Sequence, residues 1–240
     1  MPLHFSAKPG MSVETVVVGN ERQSVVVIDG LLAEPEALVE YAATEVKFRA
    51  LKGDVNYYPG VRAPVPQQYL AALYDSIKPI LRETFGFDTD GPVKATCSLS
   101  MVTVPPEKLN LFQRLPHFDT ADPRQLAVLH YFCQSSHGGT SFYRHRATGY
   151  ESITQERLPI YLERLKGEVE GHGPPPARYA SDSDERFERI AAFAAIFNRV
   201  LIYRSQVLHS GSINADAALS SDPRSGRLTA NAFFYLAGAA

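Results

Sequence analysis

His117-Phe118-Asp119 is the first place where residue type and spacing could do chemistry. Residues i and i+2 of an extended segment project to the same side, so this imidazole and this carboxylate can face one point in space. One further histidine from another strand would complete a two-histidine, one-carboxylate set. Such a set grips a metal on one face and leaves the other positions open, the arrangement of non-haem iron(II) sites. The candidate is His209, in Val207-Leu208-His209-Ser210-Gly211, near the end of a strand-like run that begins at Arg199. The ordinary alternative is a strand-terminal histidine hydrogen-bonded to a backbone carbonyl.

Two neighbouring features favour the ligand reading. Arg227-Leu228-Thr229 opens a run whose alternation puts Arg227, Thr229, Asn231, Phe233 and Tyr235 on one face. Leu228, Ala230, Ala232, Phe234 and Leu236 fall on the other. The arginine therefore lies on the polar face of a strand whose other face is apolar, as on a strand lining a cavity. Its forked N–H donors match the two oxygens of a carboxylate, and a hydroxyl two residues on can add a hydrogen bond. Arg224 competes for this role, but 221–226 reads as a turn. The second feature is Leu129-His130-Tyr131-Phe132, followed by Gly138-Gly139-Thr140-Ser141-Phe142. Paired glycines before a β-rich run fit a tight hairpin or a bulge. Tyr131 could aim its hydroxyl into the cavity or be a plain core tyrosine. Arg144, His145 and Arg146 follow, as contacts for an acidic or polar substrate or as a solvated basic turn. His130, His137 and His172 have no role in this scheme, and Cys97 and Cys133 read as small buried hydrophobes.

The elements that must position these residues are legible in outline. Valine-rich strands at 14–18 and 24–29 flank Gly19-Asn20, and 35–48 has helical spacing. Residues 53–66, with Tyr57 and Tyr58, read as an ordered loop; 67–85 reads as an amphipathic helix kinked at Pro79. After Gly91 the expected strands are 94–104, 125–133, 139–144, 199–209 and 227–236. An insertion at 145–198 interrupts them. It is expected to hold a helix over 154–166, with Pro159 awkwardly inside it, then a Gly/Pro-rich turn at 171–176. A second helix is expected over 183–196, opened by Asp182 and Glu185 in a capping-box arrangement. The expected organisation is one domain, 1–240: an N-terminal hairpin and helices (1–90), then a β-core (91–240) whose insertion stands over the cavity mouth. That insertion and Tyr57-Tyr58 are the places to look for substrate specificity, on position alone.

The 240 residues carry 24 basic and 26 acidic side chains, a net charge of −2 that gives no electrostatic reason to expect nucleic acid or an anionic membrane as partner. No apolar run approaches the roughly 18 residues a bilayer span needs, and the first ten residues lack a secretory pattern. Two cysteines form neither a disulfide framework nor a four-cysteine zinc site, so a reducing cytoplasm is the expected location. No nucleophile elbow, P-loop or dinucleotide fingerprint is present.

Taken together, the order His-x-Asp, a strand ending Tyr-Phe, Gly-Gly-Thr-x-Phe, a distal histidine and Arg-x-Thr resembles the 2-oxoglutarate/Fe(II)-dependent dioxygenase superfamily. It is closest to the prolyl-4-hydroxylase-like branch and to uncharacterised bacterial members. Val27-Ile28-Asp29-Gly30-Leu31-Leu32 running into a helix at Pro35 is similar to the lead-in of the catalytic domain there. The resemblance implies a mainly β fold, a double-stranded β-helix (jelly-roll-like) core with N-terminal helices and a helical insertion. It makes His117, Asp119 and His209 the catalytic Fe(II) ligands. Arg227 would bind the distal carboxylate of the cosubstrate 2-oxoglutarate, with Thr229 and Tyr131 as auxiliary hydrogen bonders. Dioxygen would be the other cosubstrate and a C–H bond of an unidentified primary substrate the target. The gaps from Asp119 to His209 and from His209 to Arg227 exceed the superfamily's usual spacing, so 211–226 must form an excursion. The rivals are a cupin-like metalloprotein with non-oxidative chemistry and a non-catalytic ligand-binding barrel. A homodimer is the base-rate expectation for assembly.

Overall fold

The computed structural model describes residues 4–50 and 58–236. The two valine-rich segments pair as an antiparallel hairpin of β1 (Ser12–Val18) and β2 (Gln23–Asp29). Helix α1 (Glu36–Thr44) follows; it ends short of the expected boundary at Phe48, because the chain turns into the short strand β3 (Arg49–Ala50). Then come β4 (Gly60–Pro64) and helix α2 (Gln67–Phe85), which runs through Pro79 and stops at Gly86 in the left-handed region (φ +72°). Leucine, isoleucine and tyrosine at helical spacing (Tyr69, Leu73, Ile77, Leu81) form its buried stripe. The later strands and the longer helix are β5 (Val93–Val102), β6 (Gln125–Tyr131), β7 (Gly138–His145), α3 (Leu158–His172), β8 (Phe187–Ala194), β9 (Arg199–Arg204), β10 (His209–Ile213) and β11 (Leu228–Leu236).

The strands form two antiparallel sheets, a jelly-roll-like layering. The large one has order β1-β2-β9-β6-β11-β5-β4-β3 and the small one β10-β7-β8. The central strands of the large sheet are buried on both faces, and alternation divides their side chains between two cores. Val26, Ile28, Val128, Val200, Ile202, Ala230 and Phe234 pack outward against α1 and α2. Val25, Val27, Ala127, Tyr131, Leu201 and Tyr203 pack inward, toward Phe142 of the small sheet. A period of two with both faces apolar reads in sequence as an unbroken apolar run, which explains why β2 and β9 look so uniformly hydrophobic.

Four expectations change. The helix over 183–196 is instead strand β8, an edge of the small sheet paired with β7 from Gly139↔Ala194 to His145↔Phe187. The acidic residues before it build a turn: Asp184 Oδ1 accepts the backbone N–H groups of Arg186 and Phe187 at 2.8 and 2.7 Å. The insertion is therefore mixed, one helix and one strand. Its helix, α3, starts later than expected, which puts Pro159 in the first turn, where its missing N–H costs nothing. The loop over 53–66 contains a strand, β4, while 53–57 lie outside the described residues. Finally, 199–209 is not one strand. β9 ends at Arg204 in the large sheet, and β10 begins at His209 in the small one. Among the described residues, no helix is long and apolar enough to cross a membrane.

Candidate metal centre and anion pocket

The break after Arg204 is what builds the centre. Residues 205–208 carry the chain from one sheet to the other, and His209 meets His117 in an antiparallel bridge, each N–H donating to the other's carbonyl at 2.8 Å. The Asp119 N–H donates to the Ser205 carbonyl at 2.8 Å, so both ends of His-x-Asp are tied to this crossing. His117, Asp119 and His209 thereby present one ligand atom each, all within 4.8 Å of one another. Asp119 Oδ1 lies 4.0 Å from His117 Nε2, and Oδ2 lies 3.7 Å from His209 Nε2. These separations are too long for hydrogen bonds and leave room for an ion between the groups.

Protonation favours ligation. His209 Nδ1 is 2.9 Å from the Val207 carbonyl, which can only accept, so Nδ1 carries a proton and Nε2 is the nitrogen turned toward Asp119. The backbone hydrogen bond expected on the plain structural reading of His209 is present, and it also fixes which ring nitrogen faces Asp119. Burial pushes the His117 imidazole down to about 3, helped by the neighbouring His209, so it is neutral, as a metal requires. Burial also pushes the Asp119 carboxyl up, against the opposing pull of His209 and Arg62. One carboxyl group facing two imidazole nitrogens is a set whose charge a divalent cation would balance. Phe142 and Tyr203 flank His209, and Tyr161 of α3 meets Phe118 edge-on at 6.1 Å. The insertion thus braces the residue between His117 and Asp119.

On the inner face of the large sheet lies a second polar group. Tyr131 and Thr229 are directly paired, as are Thr229 and Ser100. The Tyr131 hydroxyl shares a 2.6 Å hydrogen bond with Thr140 Oγ1 of the small sheet. Arg227 is 3% exposed. Its Nη2 donates to the Gly139 carbonyl at 2.9 Å, its guanidinium lies 5.6 Å from the Tyr131 ring, and its Nε has no partner. No carboxylate pairs with it among the described residues. Gly138 and Gly139 form no hairpin of their own. They lie between β10 and β8, where a Cβ on Gly139 would sit 2.1 Å from the Phe193 carbonyl oxygen and one on Gly138 1.8 Å from that of Ser212. Only glycine lets three strands close there and leaves the Gly139 carbonyl to Arg227.

The other sequence candidates are accounted for. Arg224 is exposed and paired with Glu40. Arg144 bonds Glu151 and Glu188, the buried His145 bonds Glu168, and Arg146 Nε donates to the Asp184 carbonyl, so this basic stretch stitches the insertion to the small sheet. Clefts of about 310 and 300 Å³ lie elsewhere, beside Asn198 and beside Asp90, and neither contains the His/Asp set. Arg62, Ser100 and Tyr58 join the inner-face group without having been singled out as polar partners. Strand β4 is hidden among prolines and glycines, and only its register brings Arg62 beside Ser100.

Among solved structures the chain is similar to the non-haem α-ketoglutarate-dependent carbocyclase SnoK from nogalamycin biosynthesis. That match has 15% identity and a TM-score of 0.50, over 90% of this chain and 81% of that one. At this identity the likeness is one of fold. AviO1 from Streptomyces viridochromogenes Tue57 (11% identity, TM-score 0.44, 98% and 93% covered) matches more loosely. So does an N-substituted L-amino acid dioxygenase from Burkholderia ambifaria AMMD (13%, 0.37, 91% and 84%). Comparison with curated proteins gives no match. Residues 9–234 match the model of a family of unknown function, DUF6445, and the chain belongs to that family.

Proposed function

We propose that this protein is an Fe(II)- and 2-oxoglutarate-dependent dioxygenase that hydroxylates a C–H bond of its primary substrate. The catalytic domain would span 1–240 on a double-stranded β-helix core. The order of motifs along the chain supports the prolyl-4-hydroxylase-like branch, and the two free cysteines fit a reducing cytoplasm. His117, Asp119 and His209 would hold the iron, which with 2-oxoglutarate and dioxygen supplies the two-electron oxidation while succinate and CO2 leave. The protein's own part is to bind and orient. Asp119 contributes the negative charge, and the carbonyl of Val207 locks the His209 tautomer. Arg227 holds the far carboxylate of the cosubstrate, assisted by Thr229 and Tyr131, whose ring closes one side of the guanidinium.

The observation that carries this reading is the buried Arg227 with no acid to neutralise it, on the inner face of the sheet beside the His/Asp set. A buried cation of this kind costs several kcal/mol unless paired, so an anionic ligand is the natural complement. A cupin-like enzyme with non-oxidative chemistry needs the metal set but has no use for such an arginine.

The test is an anaerobic titration of metal-stripped protein with Fe(II) and then 2-oxoglutarate, followed by thermal melting and visible absorbance. At about 100 times its dissociation constant, a ligand adds roughly 2.7 kcal/mol of stability. A second melting shift that requires iron, with a weak visible band, is the expected result. A shift with metal alone would point to the cupin-like alternative, and no response to either would leave a binding barrel.

A further inference from the structure

We propose that Arg62 is a second carboxylate anchor, placed on the inner sheet face in the row of Thr229 and Tyr131 to hold an acid group of the primary substrate. The proposal rests on the dioxygenase reading above, which assigns Arg227 to the cosubstrate and leaves Arg62 unclaimed.

Placement comes first. Arg62 is paired with Ser100, Ser100 with Thr229 and Thr229 with Tyr131, one cross-sheet row over β4, β5, β11 and β6. Directly opposed residues of an antiparallel ladder share a face, so Arg62 projects to the same inner face as Tyr131 and Thr229. Two strand spacings separate it from Thr229, about 9–10 Å between backbones.

Availability comes second. The guanidinium lies 4.8 Å from the Tyr58 ring centre, and stacking on a ring leaves the in-plane N–H edges free. Arg62 Nε is buried without a partner, and the side chain has no ion pair among the described residues. The half-buried arginines that serve the fold are different: Arg199 grips Asp29 and Arg157 grips Glu21. The Nε–H and adjacent Nη–H fork offers two parallel donors, and a carboxylate is the group that matches both.

The test uses protein selectively 15N-labelled at arginine, loaded with zinc in place of iron and with N-oxalylglycine, the unreactive amide isostere of 2-oxoglutarate. The Nε–H resonances of Arg62 and Arg227 are assigned from Arg62→Lys and Arg227→Lys. N-oxalylglycine should move the Arg227 resonance. Acetate, added afterwards, should move that of Arg62 saturably, while neutral acetamide should not. Arg62→Met should keep its N-oxalylglycine affinity within about twofold and lose acetate binding at least about tenfold, about 1.4 kcal/mol. No response of Arg62 to acetate would overturn the proposal. So would an Arg62 resonance moved by N-oxalylglycine and then blind to acetate, which would make it part of the cosubstrate site. An Arg227 resonance indifferent to N-oxalylglycine would instead sink the dioxygenase reading, whatever Arg62 does.

Discussion

His130 and Tyr131 are neighbours on β6, yet they face opposite sides of the large sheet and serve opposite purposes. His130 looks toward α2, where Tyr69 donates its hydroxyl to Nδ1 at 3.0 Å and Asn198 Oδ1 receives Nε2–H at 3.0 Å. Asn198 in turn bonds both backbone groups of Leu32 and donates its own N–H to the Tyr131 carbonyl. Every nitrogen and oxygen in that network has a partner. Tyr131 looks toward the small sheet, and the face it shares keeps several buried atoms with none: Arg227 Nε, Ser100 Oγ, Asn231 Oδ1 and Arg62 Nε. Leaving a buried polar group unpaired costs about 1–3 kcal/mol, so a natural sequence rarely retains a cluster of them without a use. The satisfied network ties the N-terminal segment to the sheet. The unsatisfied one is the face on which the proposed function places its ligand.

The sharpest break in this comparison should come from Asp119→Ala. It is expected to lower Fe(II) affinity by more than the roughly 10–100-fold seen when only a ligand's supporting partner is lost, and to abolish 2-oxoglutarate consumption. Anaerobic iron titration and cosubstrate turnover read both, and full activity in the variant would refute the metal assignment. Next in size is Arg227→Met. Affinity for 2-oxoglutarate should fall by about 30-fold or more, since removing one partner of a buried charge pair costs about 2–5 kcal/mol. The melting temperature of the ligand-free variant should hold or rise, because a buried unpaired charge has been removed. A cosubstrate affinity unchanged within twofold would end the role assigned to this residue.

His130→Gln tests the other side of the sheet. Burial pushes His130 down to about 3, so in the folded protein it is neutral. A histidine depressed in this way stabilises fully above its unfolded value of about 6.5, and its contribution fades as pH falls from there toward 3. Urea melts at pH 7 and pH 5 should therefore show a smaller loss of stability in His130→Gln than in the parent, by at most about 1.4 kcal/mol per pH unit. Iron and 2-oxoglutarate affinities at pH 7 should be unaltered. An equal loss in parent and variant would mean that His130 is not held neutral. The smallest effect belongs to Arg224→Ala: its exposed pair with Glu40 is worth about 0–1 kcal/mol, and cosubstrate affinity should not move. If Arg224→Ala weakened 2-oxoglutarate as much as Arg227→Met, the contrast between the two arginines would be lost.

Local pattern reveals whatever depends on neighbours in the chain. The hairpin at 12–29, the buried stripe of α2, the alternation from Arg227 to Leu236 and the His-x-Asp triplet are all short-range facts, and the sequence determined them by itself. The folded chain brings His209 to His117 and Asp119, two residues that the sequence could pair only by motif order. What stayed hidden depends on partners distant along the chain. The capping pattern at Asp182 and Glu185 is overridden because β7 offers β8 a ladder, and the gain from pairing outweighs a weak helical preference. The run from Arg199 to His209 contains no residue that marks a change of sheet; the crossing at 205–208 is set by where Asp119 and His117 bind it. Arg62 became visible only through the register of four strands. Propensity acts over a few residues, whereas burial without a partner is a property of the assembled interior, so the His-x-Asp triplet was written in the sequence and the cluster of unpaired polar atoms was decided by tertiary structure.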